Sequence, residues 1–76
     1  MSYRGVWTIA EEDQGIIREV SYELLTRGRR LADKLNVELS SVLIGSDITD
    51  DELNQLIYRG ADKVYVIDDP RLNDSL

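Results

Sequence analysis

The amino-acid sequence predicts an α/β fold, with a three-stranded parallel sheet and two crossover helices. Three apolar runs rich in β-branched and aromatic residues alternate with two helical patterns, so the element order is strand, helix, strand, helix, strand. Parallel strands in this order are joined by right-handed crossovers. The 76 residues suffice for one small domain, and a domain of this size buries only about 60% of its extended surface.

The three strands are predicted at residues 6–10, 37–45 and 64–67. Gly, Asp or Pro residues bound these runs, as is typical of strands. Trp7 and Tyr65 lie inside the first and third strands. We interpret both rings as core residues.

The first helix is predicted between the first two strands, where apolar residues recur at spacings of three and four. Ser21 is interpreted as its N-cap, because a serine hydroxyl can accept from an unpaired backbone N–H. Gly28 lies on the apolar face although glycine costs a helix about 1 kcal/mol relative to alanine. It therefore predicts close contact between helix and sheet. The predicted inward face consists of Val20, Leu24, Leu25, Gly28, Leu31, Ala32 and Leu35.

The second helix has clearer boundaries. Thr49 and Glu52 form a capping-box pattern, in which each side chain satisfies a backbone donor of the first turn. Gly60 is predicted to end the helix in a left-handed conformation. The residues expected to face the core are Leu53, Leu56 and Ile57.

Two helices cannot cover both faces of a three-stranded sheet, although strands this apolar are usually covered on both. A strand order of 3-2-1 places both helices on one face and leaves the other bare, whereas 2-1-3 leaves each face half covered. A third helix would be expected at residues 71–76, where the sequence ends. We therefore predict a fragment or a unit completed by a partner, and self-association through the exposed sheet face.

Composition argues against several classes of function. The formal net charge of −6 disfavours nucleic-acid binding. The only basic cluster, Arg27, Arg29 and Arg30, is interpreted as a solvated helix face. Neither cysteine nor histidine is present, which excludes thiolate chemistry, imidazole bases and the usual zinc ligands. No apolar run approaches the ~20 residues that cross a membrane, and no signal-peptide pattern opens the chain, so we expect a cytoplasmic protein that binds no membrane.

Acidic residues collect where the parallel strands end, and they suggest an alternative function. Glu11, Asp47 and Asp68 follow the three strands, at the edge where α/β folds bind ligands. An independent module could bind an adenine nucleotide or a divalent metal there. Against a nucleotide, the first turn, residues 11–18, has one glycine among three carboxylates and no phosphate-binding motif. We therefore assign no catalytic, cofactor-binding or metal-binding residue.

Four segments resemble electron transfer flavoprotein alpha subunits. Residues 3–11 look like their opening strand, and residues 18–25 and 30–35 are similar to the beginning and end of their first helix. The most specific match is residues 60–70, with the sequence GADKVYVIDDP. The matches occur in the right order over essentially the whole chain.

The resemblance implies a heterodimer of alpha and beta subunits that carries electrons from flavin dehydrogenases to a redox acceptor. It implies that residues 1–76 are a truncated N-terminal domain, the first part of a Rossmann-like fold related to adenine nucleotide alpha hydrolases. In this family the FAD-binding motifs of the alpha subunit lie in its C-terminal domain, and the N-terminal domain mainly packs against the beta subunit. We therefore expect an electron carrier fragment that is not an enzyme and holds no FAD itself.

Overall fold

A computed structural model describes residues 5–68 and confirms the α/β class. The N-terminal tetrapeptide and residues 69–76, including the expected third helix, lie outside the described residues. The sheet of the described residues has four strands, one more than predicted, in the order β2-β1-β3-β4. The strands are β1 (Gly5–Asp13), β2 (Ile16–Ile17), β3 (Glu38–Gly45) and β4 (Lys63–Asp68), and the helices are α1 (Glu19–Leu35) and α2 (Asp50–Tyr58).

The three long strands are parallel, with β3 in the middle. β1 and β4 each pair with β3, which is the 3-2-1 alternative of the sequence prediction. In register, Thr8 lies beside Ser41, and Ser41 lies beside Val64. These residues belong to the side of the sheet on which both helices pack, with α1 on β1 and β3 and α2 on β4. The opposite side of the sheet carries neither helix.

The core lies between the helices and the sheet. Leu25, Leu39, Leu43 and Leu56 are fully buried. At Gly28 an added Cβ would lie 2.9 Å from a methyl group of Leu39 and from another of Thr8. The close approach predicted for Gly28 is therefore confirmed, because no larger residue fits between α1 and the sheet without movement.

The segment predicted as a strand-to-helix turn is a β-hairpin. β1 continues to Asp13, reverses at Gln14 and Gly15, and returns as β2, with Asp13 paired to Ile16. Gln14 and Gly15 have φ values of 53° and 83°, the positive values that a tight hairpin turn requires at both positions. The first strand is thus longer than predicted, because its acidic end pairs with β2.

Ser21 does not cap α1, so the predicted N-cap is wrong. The helix begins at Glu19 with Arg18 in the N-cap position, and no side chain makes a capping hydrogen bond. The Ser21 hydroxyl is buried and accepts a hydrogen bond from the Glu11 N–H at 2.8 Å. It joins α1 to β1 because the extended strand runs beside the start of the helix.

One half of the predicted capping box of α2 is confirmed. The Thr49 hydroxyl accepts from the Glu52 N–H at 3.3 Å. The Glu52 carboxylate instead accepts from the Ile17 N–H at 2.8 Å, so it joins α2 to the hairpin. Gly60 has the expected positive φ, at 127°, directly after Arg59 ends the helix.

The predicted inward face of α1 is only partly buried. Leu25, Gly28 and Ala32 face the sheet, but the remaining aliphatic residues form an exposed stripe. In the described residues, β2 pairs only with Glu12 and Asp13, so no strand lies beside the rest of β1 to receive them. The members of this outer stripe are Val20, Leu24, Leu31 and Leu35.

Candidate docking face

The side of the sheet opposite the helices is apolar, and we call it the uncovered face. Side chains alternate along a strand, so every second residue points to this side. Register places Ile9 beside Val42 and Val42 beside Tyr65, and it places Ile44 beside Ile67. The apolar residues of the uncovered face are Trp7, Ile9, Ile16, Val42, Ile44, Tyr65 and Ile67.

Trp7 and Tyr65 are surface residues, so their interpretation as core is wrong. Trp7 is 49% exposed and Tyr65 is 46% exposed. The strand pattern was misleading here, because strands that are apolar on both faces are usually covered on both. Within residues 5–68 neither α1 nor α2 packs on this side, which accounts for the difference.

The two aromatic rings of the uncovered face stack on each other across β3. The centroids of Trp7 and Tyr65 lie 5.3 Å apart, and the ring planes are inclined by 25°. Ser40 is the neighbour of Trp7 in β3 and is only 5% exposed. Because serine is small, the rings can meet above it. They form a flat aromatic surface, the offset arrangement that aromatic pairs favour.

Charged residues of the uncovered face stand at its ends, where two ion pairs form. At one end Lys63 Nζ lies 3.2 Å from Glu38 Oε2. The hydrogen bond to Glu38 raises the pKa of the Lys63 amine. At the other end Arg18 Nη1 lies 3.7 Å from Glu11 Oε2. The middle of the face is therefore apolar, and each end holds a pair of opposite charges. Asp13, beside Ile16 in the hairpin, adds an exposed carboxylate at the edge. A partner that covers the middle would not have to bury an isolated charge.

The described structure gives no support to a metal site at the strand ends. Within residues 5–68, no group of three or more acidic side chains is placed so that it could hold a metal ion. Glu11, Asp47 and Asp68 are thus not brought together as ligands. Glu12, in the same acidic run, accepts a hydrogen bond from the Gly15 N–H at 2.8 Å and so stabilises the hairpin turn.

Arg29 is a structural residue, contrary to its interpretation as part of a solvated face. Its Nη1 donates to the Gly60 carbonyl at 2.8 Å and to Asp62 Oδ2 at 3.0 Å. Its Nε donates to Asp33 at 3.0 Å, an i,i+4 pair that the sequence does display. The bond to Asp62 raises the pKa of the guanidinium. No local sequence signal links Arg29 to Asp62, because they lie 33 positions apart.

No helix in the described part of the chain is long and apolar enough to span a bilayer.

The fold is of the α/β class, and comparison with known proteins identifies the family of the chain. The family model for the electron transfer flavoprotein domain matches residues 6–76. The chain belongs to this family. The resemblance found in the sequence is thereby confirmed.

Alpha subunits and related proteins are among its relatives. The chain is 47% identical over 70 residues to "Electron transfer flavoprotein subunit alpha" of Megasphaera elsdenii. It is 46% identical over 70 residues to "Protein FixB" of Clostridium saccharobutylicum. Each match covers 92% of this chain but 20% of the relative. "Acryloyl-CoA reductase electron transfer subunit beta" of Anaerotignum propionicum is 35% identical over 71 residues, 93% of this chain and 19% of the relative. The chain thus spans about a fifth of the length of the curated relatives it matches.

Proposed function

We propose that this chain is the N-terminal scaffold and subunit-docking part of an electron transfer flavoprotein, with FAD bound outside residues 1–76. The complete flavoprotein would carry electrons from flavin dehydrogenases to a redox acceptor. Residues 1–76 would form a truncated N-terminal α/β domain of its alpha subunit. The observation that carries this proposal is the uncovered face, an apolar sheet surface whose charges are confined to its ends.

The geometry after β1 supports a location of FAD elsewhere. A dinucleotide site in an α/β fold uses a glycine-rich turn that leads from the first strand directly into a helix N-terminus. Here a hairpin is inserted between β1 and α1. Glu11, Glu12 and Asp13 lie in the strand that leads to it, and these carboxylates would repel a pyrophosphate. The same features favour a scaffold over an independent module that binds adenine nucleotides.

The proposed partner is the beta subunit of an electron transfer flavoprotein. An apolar surface flanked by polar groups is typical of the centre and rim of a protein–protein interface. Trp7 and Tyr65 would supply aromatic anchors, the residue type that contributes most to such interfaces. Nothing in this surface suits nucleic acid, because the chain carries a net charge of −6. The redox partners would be reached through the complete complex in the cytoplasm.

Co-purification with the beta subunit tests the docking role. The polypeptide that contains residues 1–76 is expressed with the beta subunit, as wild type and as Ile9→Lys. Leu24→Lys is the matched control, because Leu24 is 44% exposed on the outer stripe of α1 and Ile9 is 50% exposed on the uncovered face. We expect Ile9→Lys to lose most of the bound beta subunit and Leu24→Lys to retain it. Equal retention by both variants would contradict docking through this face.

Titration of the 76-residue chain with ligands tests the absence of a cofactor site. We expect no heat with FAD, AMP, ATP or Mg²⁺ at millimolar concentration. Saturable one-to-one binding of FAD would contradict the scaffold proposal. Saturable binding of AMP or Mg²⁺, abolished by Asp47→Asn, would instead support the small-ligand module.

A further inference from the structure

We propose that a second copy of this chain packs face to face on the uncovered face, giving a two-fold symmetric dimer. This inference goes beyond the proposed function, because self-association requires neither flavin nor another subunit. It concerns the state of the chain when no flavoprotein partner covers the surface. The two copies would form a sandwich of two sheets about 10 Å apart, inclined by about 30° as twisted sheets are when they pack.

The apolar area that the uncovered face exposes is sufficient for a weak dimer. Trp7, Ile9, Tyr65 and Ile67 each leave about half of their surface accessible, and Ile44 leaves 36%. Since an aromatic side chain can bury 150–250 Å², these residues together expose on the order of 500 Å². Two copies would therefore bury roughly 1,000 Å² in total, the smallest area expected of a specific interface. We accordingly expect a reversible equilibrium between monomer and dimer.

The charges of the uncovered face are compatible with self-pairing. A two-fold axis brings the same surface of both copies together, so any unpaired charge in its centre would meet an identical charge. The centre holds only apolar residues and Ser40 between the stacked rings. At the ends of the face, Lys63 is paired with Glu38 and Arg18 with Glu11 within one chain. These ion pairs therefore need no new partner in the dimer, and the exposed Asp13 of the hairpin can remain in water at the edge of the interface.

The net charge gives the dimer a characteristic salt dependence. Each chain carries a formal charge of −6, so two copies repel one another over distances longer than the contact itself. Salt screens this repulsion, with a Debye length of about 10 Å at 0.1 M and 3 Å at 1 M. Apolar contacts are not weakened by such screening. The dimer is therefore expected to become tighter as NaCl is added.

The test is sedimentation velocity of the 76-residue chain over a range of concentrations. Wild type and Leu24→Lys are expected to shift from monomer to dimer, and Ile9→Lys is expected to remain monomeric. Trp7 is the only tryptophan, so its fluorescence provides a second readout that concerns this face directly. Its emission should shift to shorter wavelength as wild type dimerises and should not shift in Ile9→Lys. Circular dichroism checks that each variant is folded, and Tyr65→Lys replaces Ile9→Lys if that variant is not.

Several results would overturn the inference. A folded chain that stays monomeric at millimolar concentration has no second copy on this face. The same holds if Leu24→Lys and Ile9→Lys lose the dimer to an equal extent, or if association continues to large particles without a dimer. A monomer in which Trp7 already emits as a buried residue would show that other parts of the same chain cover the face. The first results leave docking of the beta subunit open, because it is measured separately, whereas a buried Trp7 in the monomer would also contradict docking through this face.

Discussion

At the scale of single residues, Asp62 joins three parts of the fold at one carboxylate. Its Oδ2 accepts hydrogen bonds from the Leu39 N–H in β3, at 2.8 Å, and from Arg29 in α1, at 3.0 Å. Arg29 also donates to the carbonyl of Gly60, in the turn after α2. The hydrogen bond from the Leu39 N–H lowers the pKa of the Asp62 carboxyl, and the hydrogen bond from Arg29 lowers it further. This small network fixes the start of β4 against β3 and α1.

Replacement of Asp62 is expected to lower stability more than replacement of Asp33. Asp62→Asn removes the charge that holds Arg29 and weakens acceptance from Leu39. Asp33→Asn affects only the exposed contacts of Asp33 with Nε and Nη2 of Arg29. Thermal unfolding followed by circular dichroism measures the difference. Equal melting temperatures for the two variants would contradict the structural role of Asp62.

The same carboxylate predicts a dependence of stability on acid pH. Because the folded state lowers the pKa of Asp62, its contribution is fully present above the unfolded pKa of about 3.9. It is lost as the pH falls through the lower folded pKa. The free energy of unfolding of wild type should therefore fall more steeply than that of Asp62→Asn between about pH 5 and pH 2. Urea titrations at several pH values test this, and parallel curves would refute it.

Residue-scale interactions were predictable only where they are local. The bond from the Glu52 N–H to Thr49 spans three positions and follows from a capping pattern. Ser21 fits the same kind of pattern, yet its hydroxyl contacts Glu11, ten positions away. The contacts of Arg29 with Asp62 and of Glu52 with Ile17 depend on how whole elements pack. Such contacts cannot be predicted from the neighbouring residues in the sequence.

At the scale of elements, α1 packs closely on the sheet because Gly28 has no side chain. Leu39 and Thr8 occupy the space where a Cβ would stand. A helix interior normally disfavours glycine, so the position shows that close packing outweighs helix propensity here. The other apolar residues of α1 are either buried against the sheet or exposed in the outer stripe. In the described residues, the outer stripe has no strand beneath it, because β2 pairs only with the end of β1.

Gly28→Ala is therefore expected to destabilise the domain although alanine favours helices. An added methyl group in a filled core commonly costs 1–3 kcal/mol, which exceeds the helix gain of about 1 kcal/mol. We expect a net loss of about 1 kcal/mol. Glu23→Ala, at an exposed position of the same helix, should change stability little. Denaturant unfolding compares the two, and a stabilised Gly28→Ala would show that α1 can move away from the sheet.

The order and kinds of the long elements followed from the sequence, whereas the hairpin did not. Residues 6–10, 37–45 and 64–67 have the composition of strands, and α2 has a capping residue at its start and a glycine after its end. β2 consists of two residues, too few for a periodic signal. Gln14 and Gly15 resemble the residue pair of a tight hairpin turn, but the acidic residues before them are equally typical of a loop.

At the scale of the whole molecule, one sheet separates a packed side from an open one. The helices bury Leu25, Leu39, Leu43 and Leu56 on one side, while the uncovered face leaves Trp7 and Tyr65 accessible. The need for such a face follows from counting layers, since two helices cannot cover both sides of three strands. The residues that form it could not be assigned, because the facing of each strand is fixed only by its packing. Membership in the electron transfer flavoprotein family gives this open side its proposed use.

Protection of Trp7 tests the docking role of the uncovered face most directly. Fluorescence quenching by acrylamide is measured for the chain alone at a dilution where it is monomeric, and again after assembly with a beta subunit that lacks tryptophan. We expect efficient quenching of the dilute chain, because Trp7 is 49% exposed, and several-fold weaker quenching in the assembly. If Trp7 is quenched equally in both states while the beta subunit is bound, the uncovered face is not where the flavoprotein docks.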